Sequence, residues 1–224
     1  MSDARLSAVL LNWKRPANVE KIVASLLACE EVDDITVWNN NPDCARALPA
    51  AVRVIQSPEL GLYTRFAAGC LARHEAVLLQ DDDLLLPPGV VQVLHREARR
   101  NPQVLHGIFG RAPTETGTYA IALDGTGRVP MVLTRALICP RIYCAKFFEH
   151  VHVFDELQRD SQPYGNGEDI IFSFVAMKLS GQLNRIHGLP VTELPEEFAI
   201  GKRTRDHLDH RTRVLDACQR WLNG

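Results

Sequence analysis

Three consecutive aspartates, Asp81, Asp82 and Asp83, follow the apolar run Ala76 to Leu79 and the single polar residue Gln80. A short run of this kind reads as a buried central strand, and ligands of open α/β sheets gather beyond the carboxyl ends of such strands. Two carboxylates about 5 Å apart at an effective dielectric near 20 repel by roughly 3 kcal/mol, so three at one strand end call for a cation. An all-oxygen set suits magnesium, manganese or calcium, and magnesium is usually held by one or two carboxylates with phosphate oxygens. The chemistry expected is therefore a divalent metal beside a phosphate. Strand alternation places Asp81 and Asp83 together as the expected metal ligands, with Asp82 on the other side. An Asp-rich turn capping the next helix is the plainer alternative. Asp83, however, stands four residues ahead of Pro87, early for a cap, with Leu84 to Leu86 between.

A second acidic pair, Glu168-Asp169, opens an almost wholly apolar segment that runs to Gly181. Acids in a first helical turn often serve only the helix dipole, at about 0.3 to 1 kcal/mol each. Here the preceding loop contains Gly165 and Gly167, which allow close backbone approach, and exposed helix amides keep Asp169 ionised, as an acceptor or base must be. Past residue 196 the chain turns basic, with Lys202, Arg203, Arg205, His207, His210 and Arg211 ahead of an amphipathic end carrying Val214, Leu215, Cys218 and Trp221. Such a face is either solvated or closes over a diphosphate, neutralising the leaving group and bringing a histidine to the metal.

The elements that must position these groups alternate. Ser7 to Leu11 reads as a strand running into Asn12, Trp13, Lys14 and Arg15, and Val19, Ile22, Val23, Leu26 and Leu27 follow at helical spacing after Pro16. Ile35 to Trp38 reads as a second strand ending in Asn39 and Asn40, Val52 to Ile55 as a third, and Gly61 to Leu71 as a helix carrying Arg65. Beyond the aspartates, Val90, Val91, Leu94 and Ala98 mark a helix stopped by Asn101-Pro102. This order predicts an α/β chain with a mostly parallel central sheet flanked by helices, yet it contains no Gly-rich phosphate loop. The second half predicts mixed or antiparallel strands: Val104 to Phe109, then Tyr119 to Leu123 and Val129 to Ile138 as a hairpin around Asp124-Gly125-Thr126-Gly127.

The 224 residues fit one domain, with changes of character at about 1–103, 104–195 and the basic 196–224. A net charge of −2 gives no sign of a nucleic-acid or membrane-surface partner. Leu6 to Leu11 is too short to span a bilayer or act as a secretory signal, so a cytoplasmic protein without a membrane span is expected. The six cysteines show no Cys-x-x-Cys pair and receive no role.

Taken together, Asn12-Trp13-Lys14-Arg15, Val37-Trp38-Asn39-Asn40, the aspartate triplet and Gly167-Glu168-Asp169-Ile170 resemble glycosyltransferases of the GT-A fold. The Trp-Asn-Asn and triple-Asp elements are most similar to the exostosin-type glycosyltransferase domain, while Glu168-Asp169 also suits the large inverting family with its Glu-Asp motif. The resemblance covers residues 7 to about 181. It implies a nucleotide-binding fold with an acceptor region in the second half, and transfer of a sugar from a nucleotide diphosphate donor, UDP favoured, to a glycan or small-molecule acceptor. It implies that Asp83 coordinates manganese or magnesium, that Asp81 meets the donor ribose or a metal-bound water, and that Asn39 and Arg65 help hold the nucleotide. Asn12, Trp13, Arg15, Asn40 and Asp82 complete the expected donor side. Asp169, with Glu168 beside it, would face the acceptor, as general base if configuration inverts and as an orienting group if it is retained. The other readings are a nucleotidyltransferase making a nucleotide sugar and a receiver-like or silent nucleotide-binding module.

Overall fold

In the computed structural model, residues 5–44, 46–123, 125–159, 161, 164–195 and 206–224 are described. The first half alternates as β1 (Leu6–Asn12), α1 (Pro16–Leu27), β2 (Val32–Asn39), β3 (Val52–Gln56), α2 (Thr64–Cys70), β4 (Ala76–Gln80), β5 (Leu84–Leu85) and α3 (Pro88–Arg100). Short strands follow: β6 (His106–Gly107), β7 (Gly110–Pro113), β8 (Tyr119–Leu123), β9 (Gly127–Val129), β10 (Met131–Val132) and β11 (Ala136–Pro140). The chain ends with α4 (Arg141–His150), α5 (Asp155–Gln158), α6 (Glu168–Ser180), β12 (Asn184–Ile186), β13 (Thr192–Glu193) and α7 (His207–Asn223).

Among the described residues the main sheet runs β3-β2-β1-β4-β11-β6-β12-β9. Its first four strands are parallel, as the alternation requires, and β11 joins β4 antiparallel. The parallel strands carry near-continuous apolar sequence because both of their faces are covered. On one face Leu10 and Leu78 pack with Ile22 and Leu26 of α1 and Val91 and Leu94 of α3. On the other, Val9 and Leu79 meet Phe66 of α2, Phe147 of α4, Phe172 of α6 and Val214 of α7. Burying each such side chain stabilises the fold by about 1.5 to 3 kcal/mol. Phe66 lies 4.1 Å from Phe147 and 4.6 Å from Phe172, ring centre to ring centre, which ties α2 to α4 and α6. No helix among the described residues is long and apolar enough to cross a membrane.

Two expectations about the second half are corrected. The run Val129 to Ile138 is not one strand of a hairpin with β8. It breaks into β9, β10 and β11, and β8 pairs with β7 in a separate three-stranded sheet with β10, while β9 pairs with β12. Pro130, which cannot donate to a ladder, stands at the first break, and polar Thr134-Arg135 turns the chain into the site at the second. Asp124 of the expected turn lies outside the described residues. Similarly, Val104 to Phe109 contributes only the two-residue β6, because the Leu105 amide is taken by the Asn184 side chain at 3.2 Å.

Candidate active site

The carboxyl ends of the parallel strands, α2, the β10–β11 turn, the start of α6 and the start of α7 enclose one cavity of about 470 Å³. Asp81, Asp82 and Asp83 form part of its wall. They lie past the end of β4, where Gln80 folds its amide back onto the Leu84 carbonyl at 2.6 Å and the Asp81 amide bonds the Arg135 carbonyl at 3.0 Å. Strand alternation therefore does not govern them, and the expected sorting of Asp82 away from Asp83 is corrected: Arg15 pairs with Asp82 and also lies 3.7 Å from Asp83. Asp81 takes a 2.7 Å bond from Arg65, and Asp83 takes one at 3.2 Å from Arg135, whose fork also grips Glu193 on β13. Guanidinium groups thus meet all three acids. Even so, burial pushes the Asp82 carboxyl up to about 6 against the pull of Arg15, and burial with the neighbouring Asp81 charge raises Asp83.

The acidic pair of α6 lies across the cavity. Gly167, at φ +94°, starts the helix, and a Cβ on it would stand 3.3 Å from the methyls of Val214, so the glycine also makes room for α7. Both oxygens of Asp169 receive Arg211 at 2.6 Å, and one also caps the Ile170 amide at 2.8 Å. Arg211 is itself held by the Tyr119 hydroxyl at 2.8 Å and lies 4.4 Å from the Tyr119 ring centre. Glu168 accepts the Thr134 hydroxyl at 3.1 Å and lies 3.6 Å from Arg65. Burial first, then the charge of Asp169, raises its carboxyl to about 7.

Of the expected donor residues, Trp13, Arg15, Asn40 and Arg65 line the same cavity. The Trp13 indole donates to Glu59 at 2.9 Å, with the Lys14 ammonium 4.0 Å from its ring centre. Asn40 donates to the Gly61 carbonyl and the Thr64 hydroxyl, both at 3.0 Å, bracing the start of α2. Asn12 and Asn39 are not in the cavity wall; their side chains bond each other at 2.9 Å and face a small hollow beside α1. Of the basic tail, His207 and Arg211 reach the cavity. His207 sits 3.2 Å from the Asn166 amide nitrogen, and the His210 ring bonds the Asn166 carbonyl at 2.9 Å. Burial pushes both imidazoles below the usual histidine range. Lys202, Arg203 and Arg205 lie outside the described residues. Among those described, no group of three or more His, Cys, Asp or Glu side chains is arranged around a metal position. Sequence reasoning missed Tyr119, Thr134 and Arg135. The last two had one visible signal, a polar interruption of the apolar run Val129 to Ile138, whereas Tyr119 had none.

The profile of the glycosyl transferase family 64 domain matches residues 6–223. A curated relative, glucosamine inositolphosphorylceramide transferase 1 of Arabidopsis thaliana, is 28% identical over 221 aligned residues, taking in 88% of this chain. The chain spans 27% of the length of that relative. Among solved structures, the crystal structure of GalNAc-T7 with UDP, GalNAc and Mn2+ superposes with a TM-score of 0.69 at 11% identity, covering 95% of this chain and 47% of the other. That likeness shows the GT-A type of fold that the sheet order and strand-end cavity describe. With the family profile spanning nearly the whole chain, the protein belongs to the glycosyl transferase family 64 domain family.

Proposed function

We propose that this chain transfers a sugar from a UDP-sugar to an acceptor hydroxyl with the help of a divalent metal held by Asp83 and Asp81. The observation that carries the reading is the two-walled cavity, with the aspartate triplet on one side and Glu168-Asp169 on the other. The donor set fits a hard cation: it offers only carboxylate oxygens, and a metal there would relieve the repulsion that the Asp81 charge exerts on Asp83. Manganese or magnesium bound there would act as Lewis acid on the diphosphate leaving group, drawing its remaining ligands from phosphate oxygens and water. The solved GalNAc-T7 structure holds UDP and Mn2+, which favours this donor and metal.

In this reading Trp13, Lys14 and Asn40 form the nucleotide side of the cavity. Arg15 and Arg135 hold Asp82 and Asp83 in the cavity wall, and a metal taken up by Asp83 would displace part of that pairing. On the other wall, Asp169 has both oxygens tied to one guanidinium and acts as the group that orients the acceptor hydroxyl. His207, at the start of α7, faces the diphosphate, while Arg211 stays with Asp169. The one-domain division into donor half, acceptor half and basic closing segment belongs to the same proposal.

The test is thermal stability of the protein with UDP, GDP, CDP and dTDP, each with Mn2+ and with chelator. Ligand at about 100 times its dissociation constant adds roughly 2.7 kcal/mol, or about 5 to 10 °C here. A rise with UDP only when metal is present is expected. Equal response to all four nucleotides with chelator would refute both the donor and the metal.

A further inference from the structure

We propose that Arg65 is a positioning residue that couples the metal carboxylates to the acceptor-side acids, an inference that rests on the metal reading above. The two acid clusters come from different parts of the chain, and among the described residues Arg65 is the basic side chain that touches both. Its guanidinium reaches Asp81 at 2.7 Å and Glu168 at 3.6 Å, with the Thr134 carbonyl at 3.3 Å and the Leu62 carbonyl at 3.4 Å holding the rest of the fork. The other cavity arginines do not join the two clusters. Arg15 and Arg135 pair with Asp82, Asp83 and Glu193, Arg211 pairs with Asp169, and Arg111 bonds the Gly110 carbonyl. Arg65 is only 5% exposed, so its charge is spent on these two acids rather than on water.

A single buried charge shared by two carboxylates cannot serve both fully. When Glu168 is neutral, Arg65 turns its charge toward Asp81 and competes with a metal there. When Glu168 is ionised, it draws Arg65 away and leaves Asp81 freer to receive the metal. Donor-metal occupancy and the state of the acceptor wall are thereby linked through one side chain, and by reciprocity each influences the other.

The test is a double-mutant cycle on Mn2+ affinity, read from loss of the free-ion electron paramagnetic resonance signal as Mn2+ is titrated into the full chain with saturating UDP. Arg65→Gln is expected to bind Mn2+ about tenfold more tightly and Glu168→Gln about tenfold more weakly. In the Arg65→Gln background, Glu168→Gln should change affinity by less than about twofold. Turnover should fall in Arg65→Gln through kcat, with the donor KM little altered. Should Arg65→Gln fail to fold by circular dichroism, Arg65→Lys replaces it, since a lysine keeps the charge but cannot span both acids and should also cancel the Glu168→Gln effect. Additive effects of the two substitutions, or weaker Mn2+ binding in Arg65→Gln, overturn the coupling while leaving the metal site standing. Absence of Mn2+ binding to the unaltered protein overturns the metal reading and the coupling with it.

Discussion

The two walls of the cavity are built on opposite plans. The wall assigned above to the donor gathers contiguous residues at one strand end and interleaves them with arginines, so that Asp83 is reached by both Arg135 and Arg15, and Arg135 also holds Glu193. The wall assigned to the acceptor rests chiefly on one buried pair, Asp169 with Arg211, whose members are 42 residues apart, with Glu168 meeting Arg65 beside it. Redundancy on one side and exclusivity on the other mean that substitutions of similar chemistry should have different consequences. Loss of an acid from the donor wall leaves every arginine with a partner, whereas loss of Arg211 takes from Asp169 the one guanidinium that meets both of its oxygens and leaves it the Ile170 amide.

The largest effect is therefore expected from Arg211→Met. Breaking a buried ion pair by removing one partner costs about 3 to 5 kcal/mol. Urea unfolding should show that loss, and adding Asp169→Leu should restore most of it, because the pair as a unit has a large desolvation cost. A single variant as stable as the parent would show that the acceptor wall is no more exclusive than the donor wall. Asp83→Ala comes next and moves a different quantity. Turnover should drop by about 10²- to 10³-fold, equivalent to roughly 2.7 to 4 kcal/mol of barrier. Its unfolding midpoint should barely move, since Arg135 keeps Glu193 and Arg15 keeps Asp82. A large stability loss in this variant would erase the contrast.

These two predictions also mark what could be read from the residues alone. The place of the aspartate triplet at a strand end was legible because its chemistry is local: an apolar strand, an abrupt end and three acids in a row announce themselves without knowledge of the fold, whereas Asn12 and Asn39 turn to a hollow outside the cavity. The parallel half of the sheet was legible for the same reason, through regular alternation of strand and helix patterns. The acceptor wall was only half legible. Asp169 and Arg211 could each be singled out, but nothing in the order of residues joins them, because α7 reaches α6 through packing of Val214 and Leu215 on the common core. Tyr119 stands in an ordinary short strand, and its bond to Arg211 spans 92 residues. The misread hairpin failed for another physical reason: Pro130 and the Thr134-Arg135 turn redirect three short strands into different ladders.

Smaller effects sharpen the comparison. Glu168 has its carboxyl raised to about 7 from an ordinary 4.5, so its ionised form is the destabilising one. Its penalty is absent below about pH 4.5, grows as pH rises toward 7 and is complete above that. Glu168→Gln should accordingly stabilise the metal-free protein by about 1 to 3 kcal/mol above pH 7, with the gain fading as pH falls to 4.5. Thermal unfolding of both proteins across pH 4.5 to 8.5 reads this difference; a gain that grows toward acid would have the wrong sign. The smallest change belongs to Tyr119→Phe, which keeps the ring beside Arg211 but removes the hydroxyl acceptor. About 0.5 to 1.5 kcal/mol of stability should go, while Tyr119→Leu, which also loses the ring, should cost more.

The division of labour between the walls is tested most directly by calorimetric titration of UDP with Mn2+ into the parent protein, Asp83→Ala and Asp169→Asn. If the aspartate triplet holds the donor and Asp169 serves the acceptor, binding disappears in Asp83→Ala and persists in Asp169→Asn with nearly the parent affinity. Retained binding in Asp83→Ala, or loss in a folded Asp169→Asn protein, would contradict that assignment.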